Sequence, residues 1–303
     1  MYNCMELTIA LVTMNREKQL IKALNSCLSC ELPDETEFVI VDNCSTDNTE
    51  KAVKDFFSSC NYSYIYEKQS ENIGAGAGRN RYFELASGKY IYGMDDDAVI
   101  DYRINPDFFI KAIKIMDKNP KIAALATQIY DEAWKSNRLE IRGKKIFDDI
   151  YLCKMFCEGS HFLRRDFFET VPYLPNKYGY EGLPPSLKIW NEQHINAFCP
   201  NLLAIHQPRV NKWDYKQNEN YDLLINECAV PYAIKWMMYP KICRPLLRCI
   251  FVIRKNKYLK NVPGAENKVK SAVDDIITNY KLNYRIDVKT IIILYKNFGI
   301  SIF

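Results

Sequence analysis

Three consecutive aspartates, Asp95, Asp96 and Asp97, are the residues of this sequence whose type and spacing point most directly to chemistry. They end an apolar and aromatic run that starts at Tyr90, and the apolar segment Ala98–Ile100 follows them. Adjacent carboxylates at the end of a buried strand repel one another, and a divalent cation would relieve that repulsion. Asp95 and Asp97 can reach the same side of a strand end, where their oxygens would suit Mg²⁺ or Mn²⁺. The alternative is a solvated acidic turn.

A glycine-rich segment at residues 72–78 forms a second candidate site, and Arg79 follows it at the start of a predicted helix. A cation and free backbone N–H groups at a helix start suit contact with a phosphate or a base, whereas the alternative for Arg79 is a surface ion pair. The glycines have the spacing G-x-G-x-G and come after the third predicted strand. A dinucleotide fingerprint has the spacing G-x-G-x-x-G after the first strand, so the sequence argues against nicotinamide binding.

The elements that must position these residues alternate between strands and helices. Strands are predicted at 7–12, 37–41, 62–66 and 89–94, and helices at 17–28, from Ser45 or Thr46 to 57, and at 79–86. This alternation predicts an α/β fold, a Rossmann-like and mostly parallel sheet with flanking helices. Ligands of such sheets bind beyond the carboxyl ends of the strands, where the polar loops 13–16, 42–48 and 95–97 are expected. Asp42 could accept hydrogen bonds there from a base or ribose, or could cap a turn.

The second half of the chain is less regular. Helices are predicted at 106–118, at 164–170 and from 186, strands at 122–130 and 198–205, and a basic connection at 134–146. From residue 221 the pattern is helical, and Pro240 and Pro245 interrupt it. We therefore divide the chain into an α/β domain, 1–220, and a helical C-terminal region, 221–303.

Length and composition predict a globular, cytoplasmic protein. Its 303 residues are 48% hydrophobic, enough for a large core, but the sequence has no apolar run of the roughly 20 residues that a membrane-spanning helix needs. The segment before Leu7 is short and polar, and the apolar run from Leu7 to Met14 is too short for the core of a signal peptide. The 11 cysteines have no framework spacing, so we expect reduced thiols. Cys27 and Cys30 form a C-x-x-C in a helical pattern, where we expect a structural role.

Charge is distributed unevenly along the chain. Residues 231–303 contain 14 Lys and Arg and 4 Asp and Glu, and residues 231–260 contain eight basic residues and no acidic one. Aromatic and aliphatic residues alternate with these cations, a composition that predicts binding to the anionic inner face of a membrane. The alternative is a packed helix with a solvated basic face. We expect no nucleic-acid partner, because no nucleic-acid-binding signature accompanies the charge.

The order of elements and four motifs resemble glycosyltransferase family 2 over residues 7–210. The motifs are the loop Thr13-Met14-Asn15-Arg16, the strand and acidic turn at 39–47, the glycine–asparagine loop at 72–80, and the D-x-D segment at 94–97. The resemblance implies an A-type glycosyltransferase fold and an inverting transfer from a nucleotide sugar. It also implies a catalytic domain at 1–220, in which residues 1–100 bind the nucleotide and residues 101–220 bind the acceptor.

The resemblance further implies which residues contact the nucleotide sugar and which bind the metal ion. The nucleotide sugar, for which a UDP-sugar is favoured over a dTDP-sugar, would contact Thr13, Asn15, Arg16, Asp42, Asn72, Gly74, Arg79, Asp95 and Asp96. Mn²⁺ or Mg²⁺ would bind Asp95, Asp97 and His206, with Asp97 essential for catalysis. Asp95 could instead hold the ribose or reach the metal through water, and His206 could instead be a hydrogen-bonded core histidine.

An inverting transfer also needs a base that deprotonates the acceptor hydroxyl. The family usually supplies it from an acidic pair before a helix, the place that Glu181 takes here. The sequence departs from the pattern, since one acid is present instead of two and Pro184-Pro185 replaces the usual residues. Glu181 is the first candidate for the base, and Glu158 is the rival.

The sequence thus predicts a metal-dependent inverting glycosyltransferase at the inner face of the cell membrane. It would transfer a sugar to a hydroxyl of a glycan or lipid-linked acceptor in surface polysaccharide synthesis. The alternative is a catalytically silent relative that binds nucleotide or glycan as an assembly partner.

Overall fold

The computed structural model describes residues 5–138, 142–176, 179–208, 221–280, 282 and 284–303. The strands are β1 Leu7–Thr13, β2 Thr36–Asp42, β3 Ser63–Lys68, β4 Tyr90–Asp95, β5 Ala98–Ile100, β6 Ile122–Asp131, β7 Ser136–Asn137, β8 Arg142–Phe147, β9 Ile150–Cys153, β10 Ser160–Arg164 and β11 Ile195–His206. The α-helices are α1 Glu17–Leu28, α2 Thr49–Ser58, α3 Ala75–Leu85, α4 Phe108–Lys118, α5 Leu183–Asn191, α6 Tyr221–Met238, α7 Arg244–Tyr258, α8 Ala265–Asn279 and α9 Val288–Phe298.

The described strands form one mixed sheet in the order β3-β2-β1-β4-β10-β6-β11-β9-β8, with β5 on β11 and β7 on β6. Strands β1 to β4 pair in parallel, as do β6 and β11, while β10 runs antiparallel between β4 and β6. The predicted fold class, a mostly parallel sheet with flanking helices, is confirmed.

Helices cover both faces of the sheet, so the central strands are apolar on both sides. Successive side chains of β1 alternate between two hydrophobic clusters. Ile9 belongs to the cluster that contains Leu24 of α1, whereas Ala10 belongs to the cluster that contains Tyr82 and Phe83 of α3. This burial explains why the strands read as continuous apolar runs, and it fixes which strand ends carry the polar loops.

The structure corrects the start of the third helix. We predicted a glycine loop to residue 78, but α3 begins at Ala75, so Gly76 and Gly78 are helical. A Cβ at Gly76 would lie 1.9 Å from the carbonyl oxygen of Leu174, and one at Gly78 would lie 2.7 Å from Val12 Cγ1. These glycines therefore permit close packing of α3 rather than a flexible loop.

Three other local predictions were also wrong. Asn48, not Ser45 or Thr46, precedes α2, and Asp47 Oδ1 accepts a hydrogen bond from the Thr49 amide at 3.1 Å. The predicted connection at 134–146 contains β7 and most of β8, and the predicted helix at 164–170 is one 3₁₀ turn, Arg165–Phe167.

The C-terminal helices share a hydrophobic cluster with α5, in which Leu187 and Trp190 pack with Ile234 and Met238 of α6. As predicted, the helical pattern is interrupted at Pro240, since α6 ends at Met238. Pro245, in contrast, lies in the first turn of α7, where proline is compatible with a helix. The predicted domain boundary at residue 220 lies outside the described residues. Within the described ranges, no helix combines the length and apolar character needed to cross a lipid bilayer.

Candidate active site

The carboxyl ends of β1, β2 and β4 meet at one edge of the sheet, because β1 pairs in parallel with both neighbours. Thr13 Oγ1, at the end of β1, donates a hydrogen bond to Asp96 Oδ2 at 2.6 Å. The Asn15 amide donates to Ser45 Oγ at 2.9 Å. The predicted convergence of the three polar loops is therefore confirmed.

Arg16 and the aspartates form a charged cluster at this edge. Arg16 Nη1 donates to Asp96 Oδ1 at 3.0 Å and also to Asp97 Oδ2. Burial raises the pKa of Asp96 to about 6, although Arg16 and Thr13 act in the opposite direction. Burial also tends to raise the pKa of Asp97, but the hydrogen bond from His206 and the charge of Arg16 outweigh it and lower this pKa to about 2. Asp97 is thus an anion at neutral pH.

Strand pairing brings His206 to the aspartates. Strand β5 directly follows Asp97 and pairs antiparallel with β11, in a register that sets His206 opposite Ala98. His206 Nε2 lies 3.3 Å from Asp97 Oδ1, and Nδ1 lies 2.9 Å from Oδ2 of the buried Asp131. One potential ligand atom from each of Asp95, Asp97 and His206 lies within 4.8 Å of the others. Two carboxylates and an imidazole suit a divalent cation such as Mn²⁺, so the residues fit the predicted metal.

These contacts surround a cleft of about 570 Å³, a size typical of small-molecule sites. The predicted site residues on its wall are Thr13, Arg16, Asn72, Gly74, Arg79, Asp95, Asp96, Asp97, Glu181 and His206. Glu158, the rival base, also lines the cleft. Asn15 and Asp42 are not among the described residues that line the cleft.

Asp42 is fully buried, and neighbouring groups occupy both of its carboxylate oxygens. Oδ1 accepts from the Ser45 amide at 2.7 Å, and Oδ2 accepts from the Tyr66 hydroxyl. Asn15 likewise orders the loops, since its Oδ1 accepts from the Thr46 amide at 2.7 Å. The geometry therefore favours the turn-capping alternative for Asp42 over contact with a base or ribose.

The start of α3 lines the cleft at Gly74 and Ala75. Gly74 adopts φ +87°, a backbone conformation that glycine readily takes. Asn72 Oδ1 accepts from the Gly74 amide at 2.9 Å, which fixes this turn. The Arg79 side chain is only 10% exposed. Its Nη2 donates to Asp95 Oδ1 at 2.6 Å, and its Nη1 lies 3.5 Å from Glu181 Oε1. Arg79 is thus a buried cation between two carboxylates of the cleft, rather than one member of a surface ion pair.

Glu181 and Glu158 lie on the same side of the cleft. Glu181 Oε1 accepts from the Gly179 amide at 3.2 Å, and Glu158 Oε1 accepts from the Gly182 amide at 2.6 Å. A Cβ at position 182 would lie 2.9 Å from Glu158 Oε1, so Glu158 fills the space that a side chain there would take. Burial and the charge of Glu181 raise the pKa of Glu158 to about 7, against the effect of Arg79. Glu158 is therefore a second acidic side chain of the cleft wall near Glu181.

Sequence reasoning missed four polar residues of the cleft wall: Asn43, Arg138, Tyr180 and Glu227. Arg138 Nη2 lies 3.2 Å from Asp131 Oδ2 and 3.0 Å from His206 Nδ1. Asn43 and Tyr180 are sequence neighbours of the predicted residues Asp42 and Glu181, whereas Arg138 and Glu227 lie outside every motif, and only the tertiary contacts distinguish them.

A family model matches the part of the chain that forms most of the sheet. The family model described as "Glycosyl transferase family 2" matches residues 8–171, more than half of the chain. The matched region runs from β1 past β10 and includes the aspartates, Arg79 and Glu158, but neither Glu181 nor His206.

Individual relatives extend the similarity. A Mycoplasma pneumoniae protein, "Uncharacterized glycosyltransferase MG060 homolog", is 26% identical over 80% of this chain and 78% of its own length. Staphylococcus aureus "Poly(ribitol-phosphate) beta-N-acetylglucosaminyltransferase TarS" is 30% identical, over 38% of this chain and only 19% of its own.

Solved structures show the same fold. The S. aureus TarS 1-349 complex with UDP-GlcNAc has a TM-score of 0.61 at 16% identity, covering 94% of this chain and 83% of that one. A mannosyltransferase from Pyrobaculum calidifontis, solved with GDP-Man and Mn²⁺, has a TM-score of 0.61 at 17% identity, covering 96% and 79%.

Proposed function

The chain belongs to glycosyltransferase family 2, and on that premise we propose that it is a metal-dependent, inverting enzyme that transfers a sugar from a UDP-sugar to a hydroxyl of a glycan or lipid-linked acceptor. The observation that carries this proposal is one cleft that joins a cation-binding set, Asp95, Asp97 and His206, to an acid pair, Glu158 and Glu181. The cation-binding set suits a departing diphosphate, and the acid pair suits an attacking hydroxyl.

The donor half of the cleft would neutralise a diphosphate. Asp95, Asp97 and His206 would hold Mn²⁺ or Mg²⁺, which when bound supplies positive charge against the negative charge that builds on the leaving group. The N-terminal end of α3 lines the cleft at Gly74 and Ala75, and a helix N-terminus favours an anion. Arg79 is a fixed cation beside Asp95. Structures of relatives solved with a nucleotide sugar support the donor class.

The acceptor half would activate a hydroxyl. We assign the base to Glu181, which lines the cleft and lies next to Arg79 at 3.5 Å. Glu158 is the alternative base, because its pKa of about 7 suits proton transfer near neutral pH. Glu181 and Glu158 line the same part of the cleft, so mutation of each residue is needed to determine which one is the base.

Donor binding should stabilise the folded protein only when a divalent cation is present. We expect UDP-GlcNAc with Mn²⁺ to raise the melting temperature, and UDP-GlcNAc with EDTA to leave it unchanged, since a ligand at 100 times its Kd adds about 2.7 kcal/mol. dTDP-glucose and GDP-mannose, measured in parallel, show which nucleotide base the donor site prefers. Equal shifts with Mn²⁺ and with EDTA would contradict a metal-dependent donor site, and binding without any donor hydrolysis or transfer would support the silent alternative.

A second surface of the protein has the character of a membrane contact. Ile242 and Ile253 are 79% and 61% exposed, and Leu246 and Val252 are also exposed on the outer side of α7. The opposite side of α7 packs on α6, where the ring of Phe251 stacks on that of Tyr232. One face of α7 is therefore packed, and the other is exposed and carries both apolar and basic side chains. We propose that the exposed face binds an anionic lipid bilayer.

Vesicle co-sedimentation tests this surface. Lys241, Arg248, Arg254 and Lys257 are exposed, whereas Arg244 lies over the ring of Trp236 at 4.5 Å and is left intact. Each cation near an anionic surface contributes on the order of 1 kcal/mol, so reversing these four to Glu should release the protein from phosphatidylserine vesicles at low salt.

The matched control reverses four exposed lysines elsewhere, Lys51, Lys114, Lys121 and Lys270, with the same change in net charge. This variant should still pellet with phosphatidylserine vesicles, and Ile242→Ser with Ile253→Ser should weaken the component of the binding that resists salt. If wild type ignores such vesicles, or if both quadruple variants lose binding alike, α7 is not a membrane surface.

A further inference from the structure

The backbone immediately before Glu181 is strained. Gly179 adopts φ +77° and Tyr180 adopts φ +61°, so two successive residues occupy the left-handed region. Glycine tolerates this conformation, but it is unfavourable for a residue with a side chain. The surroundings of Tyr180 must therefore hold it in place, and the same turn sets the direction of the Glu181 side chain.

The contact that holds Tyr180 comes from the C-terminal region. The Tyr180 hydroxyl donates a hydrogen bond to Glu227 Oε2 at 2.7 Å, across 47 residues of sequence. Glu227 belongs to α6, and among the described residues of the cleft wall it alone comes from the C-terminal helices. Both side chains are partly buried, so the bond is shielded from solvent.

The turn that contains Tyr180 donates hydrogen bonds to both candidate bases. The Gly179 amide donates to Glu181 Oε1 at 3.2 Å, and the Gly182 amide donates to Glu158 Oε1 at 2.6 Å. The Leu183 amide closes the turn on the Tyr180 carbonyl at 3.1 Å. Relaxation of Tyr180 toward ordinary φ values would therefore move donors away from both carboxylates.

We infer that Glu227 is a positioning residue for the transfer reaction: by accepting the hydrogen bond of the Tyr180 hydroxyl, it holds residues 179–182 in the strained turn that orients Glu181 in the cleft. The catalytic component of this inference rests on the proposed function. It joins the C-terminal helices to the catalytic apparatus, since α6 packs against α5 and carries Glu227 into the cleft.

Amide hydrogen exchange tests the contact without any substrate. In Tyr180→Phe and Glu227→Ala, the peptide that contains residues 179–183 should exchange faster than in wild type. Glu227→Gln keeps an oxygen that can accept the hydroxyl and should restore exchange close to wild type. Asp222→Ala is the control, because Asp222 is an exposed carboxylate of the same helix. If exchange of this peptide is the same in all four variants, Glu227 does not hold the turn.

Kinetics with UDP-GlcNAc and Mn²⁺ test the catalytic consequence. Tyr180→Phe and Glu227→Ala should each lower kcat about tenfold and leave KM for the donor unchanged, since misplacement of a reacting group by about 1 Å costs up to 10²-fold. The double variant should be no slower than either single one, because both remove the same bond. Additive losses, or a change in KM alone, would overturn the positioning role. Absence of donor binding by wild type would instead count against the proposed function, while the exchange result would still decide the contact.

Discussion

Asp97→Ala should abolish transfer and Mn²⁺-dependent donor binding while the protein stays folded. Asp97 is the carboxylate that meets both Arg16 and His206, and its lowered pKa of about 2 keeps it charged at working pH. A metal Lewis acid supplies several kcal/mol of transition-state stabilisation, and about 1.4 kcal/mol is a factor of ten in rate. We therefore expect at least about a 10²-fold loss of kcat/KM, measured with the donor that gives the largest thermal shift.

The control for this variant is Asp101→Ala, in which a nearby aspartate pairs only locally with Arg103 and lies outside the described cleft wall. Calorimetric titration with Mn²⁺ separates the metal from other effects: Asp97→Ala should lose the binding that wild type and Asp101→Ala retain. Asp95→Ala should be severe but keep some affinity, since Asp97 and His206 remain. Near-normal turnover by Asp97→Ala would show that the metal assignment is wrong.

Glu181→Gln should keep donor affinity and lose about 10²-fold or more in kcat, the usual scale for a general base. Gln retains an oxygen for the Gly179 amide but removes the negative charge beside Arg79. Glu158→Gln is the matched variant, since its amide oxygen can still accept from Gly182. An unchanged kcat in Glu181→Gln together with a large loss in Glu158→Gln would transfer the role of base to Glu158.

The pH profile gives these two variants an independent readout. The negative charge of Glu181 contributes to the raised pKa of Glu158, about 7, so its removal should lower that pKa. If Glu158 is the base, wild-type activity should rise with pH through about 7, and in Glu181→Gln this rise should move to lower pH. If Glu181 is the base, the residual activity of Glu181→Gln should not follow the titration of Glu158.

Much of the fold could be predicted from the sequence, because alternation of apolar strands with amphipathic helices is a local signal. The strand ends at Thr13, Asp42 and Asp95 were predicted within about one residue of their positions in the sheet. Local signals failed at Gly76 and Gly78, which resemble a loop in sequence, yet they are helical and lie so close to Leu174 and Val12 that a side chain would not fit.

The candidate site likewise combines features that local sequence signals predict with features that they do not. The run Asp95–Asp97 at a strand end and Arg79 after the glycines could be found from the sequence, since each depends on neighbours in the chain. The long-range contacts depend on the folded structure, which buries Asp42, sets His206 beside Asp97 through the β5–β11 register, and puts the Glu158 carboxylate where a side chain at 182 would lie. It also brings Glu227 to Tyr180. The physical reason is that a side chain's neighbours across a sheet or between helices are set by register and packing of distant segments, which leave no periodicity in the sequence of either partner.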